Sequence, residues 1–419
     1  MCNSFGPWLL ALALLPLLGC QFAPPGATGS VVPPAAAPTN ANPALERRPI
    51  GVPTVDPFPR ATTAIAAGAA ILWAPWPMEG HDLQRTNRSP IVGPRVGRVL
   101  WSVEIDAPSF GQVVEAADGT LYVGTESGKL QAVRPGVGVA WSFQASPPVP
   151  TPALGPDGSV YLRGGDGALY ALRSDGRRRW TTDIGAEPKL LGPAPLVGPD
   201  SYSYLTSYHQ GLAYLVQPGG FFQWAINTQA RTLAGPAVGP DGMVYVGAAD
   251  GTLRAIDREG LELWRANLAG PIVAAPMVGP AGQIFILIGE GGVELAVVEA
   301  GGGVRWRAPR CWQSGALALW AALAADGRVQ VAGCAISPSG AEAWRAPIEA
   351  AWATPAVLDA EGQTFFGAGR DLYAVGPDGG VLWRLTLDSD SLGPPSIGSG
   401  GTLLVGGSRP SRLYAIGGR

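Results

Sequence analysis

From residue 96 to the C-terminus, short apolar runs alternate with glycine-rich polar breaks. In residues 151–180, TPALGPDGSVYLRGGDGALYALRSDGRRRW, a short apolar strand, A, runs to Gly155-Pro156-Asp157-Gly158. Val160-Tyr161-Leu162 follows as strand B, and Gly165-Asp166-Gly167 turns the chain into strand C, Leu169-Tyr170-Ala171-Leu172. Ser174-Asp175-Gly176 then leads into strand D, which ends at Trp180. Asp-Gly pairs suit tight hairpins because glycine accepts positive φ. The same layout recurs in residues 235–264, and tryptophans mark the period at Trp101, Trp141, Trp180, Trp224, Trp264, Trp306, Trp344 and Trp383. A spacing of 38 to 44 residues with this grammar predicts an all-β, eight-bladed propeller of four-stranded antiparallel blades. A helical solenoid would need long segments of 3.6-residue periodicity, and none is present.

A finer motif sets the register. Among the seven tryptophans that follow Trp101, alanines lie nine residues before five (Ala132, Ala171, Ala255, Ala335, Ala374), and glycines four before six (Gly176, Gly220, Gly260, Gly302, Gly340, Gly379). A small residue opposite a large ring lets neighbouring blades close-pack, so the eight tryptophans are expected to be structural docking residues. Eight A–B–C units follow Trp101, and the last, ending Leu413-Tyr414-Ala415-Ile416-Gly417-Gly418, lacks a strand D. The missing strand is expected at the front, Gly97-Arg98-Val99-Leu100-Trp101, closing the ring in the last blade and removing two open sheet edges.

The Ala…Gly…Trp spacing resembles the docking motif of quinoprotein (pyrroloquinoline-quinone) repeats over about residues 76–419. Residues 76–86, WPMEGHDLQRT, also resemble the lead-in of uncharacterised quinoprotein-like propellers. Such repeats occur in quinoprotein alcohol dehydrogenases and in the outer-membrane lipoprotein of the β-barrel assembly machinery. The resemblance implies a fold, because the repeat is structural and hosts unrelated functions. By the same resemblance, the dehydrogenases use a calcium or lanthanide ion, a catalytic Asp and often a disulfide between adjacent cysteines. A cation needs several converging oxygen ligands. The slots that would supply them, just before each strand A, hold Gln112, Thr151, Ala194, Gly235, Ala275, Trp320, Thr354 and Gly393, with no carboxylate. There is no adjacent cysteine pair, and the two histidines, His81 and His209, stand alone. The expectation is therefore no catalysis, no cofactor and no metal. His81 reads as a surface or capping residue. The Asp-Gly aspartates read as hairpin residues.

The N-terminus carries a different signal. Residues 7–18 form an apolar core too short to span a bilayer, ending in Leu17-Leu18-Gly19-Cys20. That end resembles a bacterial lipobox, which implies a signal peptide over 1–19 and a lipid-modified Cys20. The preceding MCNSFG lacks the usual basic residue, a departure from signal sequences. Gln21, by resemblance to Gram-negative lipoproteins, implies the outer membrane, with the domain facing the periplasm. Residues 20–60, rich in Pro, Ala, Gly and Thr, cannot bury enough to offset their ordering entropy and read as a tether. Residues 61–95 read as the lead-in and 96–419 as the propeller, with no transmembrane helix in the mature chain.

Composition sharpens the partner classes. A net charge of -3 with 15% charged residues leaves no basic excess for nucleic acid. Of four cysteines, Cys2 and Cys20 belong to the signal and the lipid, leaving Cys311 and Cys334 in an oxidising compartment. Cys311 lies in a D–A link and Cys334 in the next blade's B–C turn, on one face of the disc, and a disulfide is expected; two separate thiols are the alternative. Trp312, Trp320 and Trp352 lie outside the docking series, in D–A links or at strand A starts on that same face. They mark a partner or ligand face, or else fill gaps in an irregular sixth blade. The combined reading is a non-catalytic envelope lipoprotein that acts as a protein-protein interaction scaffold, with outer-membrane protein assembly as a candidate role. A glycan- or small-ligand-binding propeller is the alternative, and a quinone-dependent dehydrogenase a remote one.

Overall fold

The computed structural model describes residues 74–185, 193–208, 210–289, 294–308, 321–331, 333–348 and 353–418. Among them, eight antiparallel sheets succeed one another along the chain. Blade 1 is Val114–Glu115 (A), Leu121–Gly124 (B), Lys129–Arg134 (C) and Gly138–Gln144 (D), and blades 2 to 7 repeat that order. Strands B are buried along their whole length, as in Leu121–Gly124 and Ile284–Ile288, because a blade packs on either side. Some are accordingly continuous apolar runs, as Ile284–Ile288 is, while others bury a polar residue such as Arg163, Thr206 or Gln330. Each fully buried Leu or Ile contributes about 1.5–3 kcal/mol. Strands D lie outermost and alternate, as Glu262–Asn267 does.

Blade 8 draws on both ends of the propeller. Its inner strand is split into Ser391–Leu392 and Ser396–Ile397, both paired with Leu403–Ser408. Its outermost strand is Arg98–Glu104, antiparallel to Arg412–Gly417, with Trp101 opposite Ala415. Blade 8 also meets blade 1: the Ser396 hydroxyl donates to the Val113 carbonyl (2.7 Å), and the Ser399 N–H to the Glu115 carboxylate (2.9 Å).

The repeated tryptophans sit at the seams between blades. Trp141, Trp180, Trp224 and Trp306 donate their indole N–H to the carbonyls of Ser174, Pro218, Arg258 and Pro338, at 2.8–3.1 Å. Each acceptor lies two residues before the motif glycine of the next blade. Trp383 donates to the Pro94 carbonyl (3.1 Å), three residues before Gly97. The glycine packs flat on the preceding blade's indole: a Cβ on Gly220, whose φ is +88°, would come within 2.8 Å of the Trp180 ring. In all eight blades a β-bulge immediately precedes the tryptophan, for example where Ala171 pairs with Trp180 but Leu172 with Arg178. The extra residue re-aims the indole along the seam.

Candidate functional site

The centre of the ring is filled by the chain's own lead-in. The second residue of each inner strand presents an N–H toward the axis, and six of these donate to successive lead-in carbonyls. Glu115, Leu154, Val238, Val278, Leu323 and Leu358 bond to Trp76, Pro77, Leu83, Gln84, Thr86 and Asn87, at 2.8–3.0 Å. Residues 76–87 thus spiral past blades 1, 2, 4, 5, 6 and 7. Blade 3 is met by Met78, packed with Leu196 and Val197. The spiral satisfies inner-strand donors that would otherwise face the channel unpaired.

Polar side chains of the spiral point into the ring. Arg85 pairs with Glu79 at 2.6 Å, with only 3% and 8% of the two side chains exposed. The same guanidinium donates to the Pro236 carbonyl (2.7 Å). Gln112, at the start of blade 1, joins the spiral to the ring. Its carbonyl oxygen accepts from the Gly80 N–H (2.8 Å) and the Trp76 indole (3.4 Å). Its amide donates to Asn87 (3.3 Å) and the Pro395 carbonyl (3.2 Å). Asn87 in turn donates to the Ala321 carbonyl (2.9 Å). His81 does not lie at the surface, contrary to one of the sequence expectations. It is 1% exposed and stands edge-on to Trp76, with ring centroids 4.8 Å apart.

Between Glu79, Gly80, Arg85, Asn87, Ala275, Met277 and Ala321 there remains a cavity of about 10 Å³. That is room for roughly one water. A Cβ on Gly235 would already touch Arg85. The carboxylate that sequence reasoning missed, Glu79, is committed to Arg85. Among the described residues, no cluster of three or more His, Cys, Asp or Glu side chains is arranged to hold a metal. The channel at the level of the spiral therefore does not fit a quinone–cation pair.

The Asp-Gly aspartates cap their turns: Asp118, Asp157, Asp175, Asp241, Asp326 and Asp378 each accept the N–H two residues on. Among the described residues one carboxyl outside the channel is shifted upward. Burial pushes Glu126, in the B–C turn of blade 1, up to about 7. Cys334 is fully buried and disulfide-bonded. Cys20, Cys311, Trp312, Trp320, Trp352 and His209 lie outside the described residues. What the sequence did not reveal was the spiral, because residues 76–89 carry no repeat and no strand-like alternation.

Comparison with known proteins adds the relationship. The family model described as outer membrane protein assembly factor BamB matches residues 90–220, 209–337 and 325–417. The chain belongs to this family. BamB from Moraxella catarrhalis is similar in structure, with a TM-score of 0.59 and 19% identity over 77% of this chain and 100% of that one. Quinohemoprotein alcohol dehydrogenase from Comamonas testosteroni is similar with a TM-score of 0.67 and 14% identity, over 85% of this chain and 82% of that one. At such identities these two likenesses speak to the fold, the PQQ-like repeat propeller. A search of curated proteins gave no match.

Proposed function

We propose that this BamB-family chain is a non-catalytic, lipid-anchored envelope protein that scaffolds outer-membrane protein assembly. The observation that carries the reading is the filled ring. The position where a propeller could hold a cofactor is taken by residues 76–87 and closed by the Arg85–Glu79 pair and Gln112. What remains for recognition is the outside of a rigid disc. The family relationship supports a protein partner in the envelope, and Leu17-Leu18-Gly19-Cys20 supports export, acylation at Cys20 and an outer-membrane location. The disulfide of Cys334 is assigned to Cys311, the cysteine left once the signal and lipid positions are set aside. Trp312, Trp320 and Trp352 remain the proposed partner face on the side of the D–A links. The reading is tested by depleting the protein in its own cell. Integral β-barrel proteins should fall in the outer membrane while inner-membrane proteins hold steady. Unchanged barrel levels would remove the assembly role. Mass spectrometry of the mature N-terminus should find diacylated Cys20, and an unmodified peptide spanning residues 15–25 would remove the anchor.

A further inference from the structure

We infer that a cavity at the closure of blade 8 binds a carboxylate borne on a short apolar group. Among the described residues, blade 8 alone has strands C and D that no hairpin joins: Arg412–Gly417 and Arg98–Glu104 come from opposite ends of the propeller. Beside that junction, between residues 92–100, the A–B turn of blade 8 and Gly417-Gly418, lies a cavity of about 680 Å³. Small-ligand sites fall in this size range. Blade 2 has a cleft at the equivalent place of only about 250 Å³, lined by Asp157, Ser159, Arg173, Ser174 and Arg179. Aligning the two blades on their A–B turns and on Trp180 and Trp101 puts Gly400, Thr402, Gly417, Gly418 and Leu100 at those five positions. All five line the larger cavity. It is larger because Asp157, Arg173 and Arg179 give way to Gly400, Gly417 and Leu100.

The replacement also removes a carboxylate. In blades 1, 2, 3, 4 and 6 an aspartate at the Gly400 position accepts the N–H two residues on, at 2.9–3.2 Å. In blade 7 Asp359 accepts the equivalent Gln363 N–H (2.8 Å). Blade 5, with Ala281 there, closes its turn through the Gln283 side chain (3.0 Å). In blade 8 the Thr402 N–H has no acceptor among the described residues. Glu115 reaches this turn from blade 1, but it accepts from the Ser399 N–H (2.9 Å).

The turn aspartates of other blades hold a guanidinium as well. Asp157 pairs with Arg179 (2.5 Å), Asp326 with Arg328 (2.6 Å) and Asp200 with Arg258. Two arginines line the blade 8 cavity, and no carboxylate does. Arg95 pairs with Glu361 of blade 7, whereas Arg98 is exposed and forms no ion pair among the described residues. The Thr402 N–H and Arg98 thus present the two kinds of contact that an aspartate makes in the other turns, and a carboxylate from outside can take both. The rest of the wall is Val92, Pro94, Val96 and Leu100, so the body that carries the carboxylate is apolar. Covering Val92, Val96 and Leu100, now 38%, 49% and 46% exposed, favours such a ligand over a bare inorganic anion. The C-terminal residue of a peptide and a small free acid share this chemistry.

The site needs neither a lipid anchor nor an assembly role, so it is tested apart from both, by isothermal titration calorimetry on the purified full chain. The probes are acetyl-Ala-Ala-Leu with a free C-terminus and 4-methylpentanoate, the deamino form of leucine. At least one should bind saturably with a Kd below about 1 mM. Whichever binds tighter identifies a peptide end or a free acid as the source, and either result supports the site. The C-terminal amide of the peptide should bind at least about tenfold more weakly than the acid. Arg98→Gln should weaken the acid by about tenfold while keeping the melting temperature. Gly400→Asp restores the carboxylate of the other turns within the chain and should abolish binding. A Cβ there meets nothing within 4 Å, and aspartate is among the residues that tolerate its φ of +80° best, so the variant should still unfold cooperatively. Equal binding of acid and amide, binding untouched by Arg98→Gln, or no saturable binding of either probe up to about 10 mM would overturn the inference. So would acetate that binds as tightly as 4-methylpentanoate, since the apolar wall would then contribute nothing. Binding that emerges only once Arg419 is deleted would give the site to the chain's own end and overturn it as well.

Discussion

Replacing Glu79 by Gln removes one charge from the centre of the ring and almost no volume. Arg85 keeps its bond to the Pro236 carbonyl but loses the carboxylate 2.6 Å away, at a site where its own side chain is 3% exposed. An unpaired buried charge of this kind costs about 3–5 kcal/mol. The cavity beside it, about 10 Å³, admits roughly one water and can return only part of that. The lower end, about 3 kcal/mol, is therefore expected, which in a domain this large lowers the melting temperature by roughly 4 °C. Urea unfolding and calorimetry supply the numbers, and hydrogen exchange over residues 76–89 shows whether the spiral loosens. The double variant Glu79→Leu, Arg85→Met removes both charges and should return to within about 1 kcal/mol of the parent. If Glu79→Gln shifts stability by less than about 0.5 kcal/mol, or the double variant is no better than the single, the ion pair is not what closes the ring.

Other outcomes follow from the same geometry. Gly220→Val should cost more than about 2 kcal/mol, because its φ of +88° is strained for any branched side chain and its Cβ would strike the Trp180 indole; a variant as stable as the parent by urea unfolding would contradict the docking geometry. Deleting residues 96–104 should give aggregated protein by size-exclusion chromatography, since it unpairs Arg412–Gly417 and opens blade 8; a monomeric, cooperatively folding product would refute the pairing. Burial lifts Glu126 from 4.5 to about 7, so the native state holds the extra proton between those values and stability falls as pH rises through that window. Glu126→Gln should match the parent at pH about 4 and exceed it above neutrality, by less than about 1 kcal/mol because solvent screens the site; a parent as stable as the variant at both ends would refute the shift.

The blades were legible in the sequence because a repeated fold repeats its packing. Trp180 and Gly220 form the same kind of seam between blades 2 and 3 as Trp224 and Gly260 do between blades 3 and 4, so each instance corroborates the others. The strand that pairs with Arg412–Gly417 was readable for the same reason: Gly97 and Trp101 repeat the motif spacing at the wrong end of the chain. The spiral occurs once and bonds chiefly through backbone carbonyls, which leave no side-chain signature in Pro77, Leu83 or Gln84. Glu79 and Arg85 belong to no motif of their own, and His81 read as a surface or capping residue, because only the ring around them makes the place buried. The bulge before each tryptophan was also hidden, since the inserted residue is Arg179 in one blade and Leu382 in another.

The central claim, a scaffold with a closed centre and a protein partner in the envelope, is tested most directly by affinity capture of the mature chain from gently solubilised envelope after cross-linking in the cell. The account predicts a stoichiometric partner belonging to outer-membrane β-barrel assembly, retained in the Glu126→Gln variant and lost when Trp312 and Trp352 are both replaced by alanine. A chain that is captured alone, and that instead binds glycans or reduces an electron acceptor with alcohol once a quinone is supplied, would contradict it.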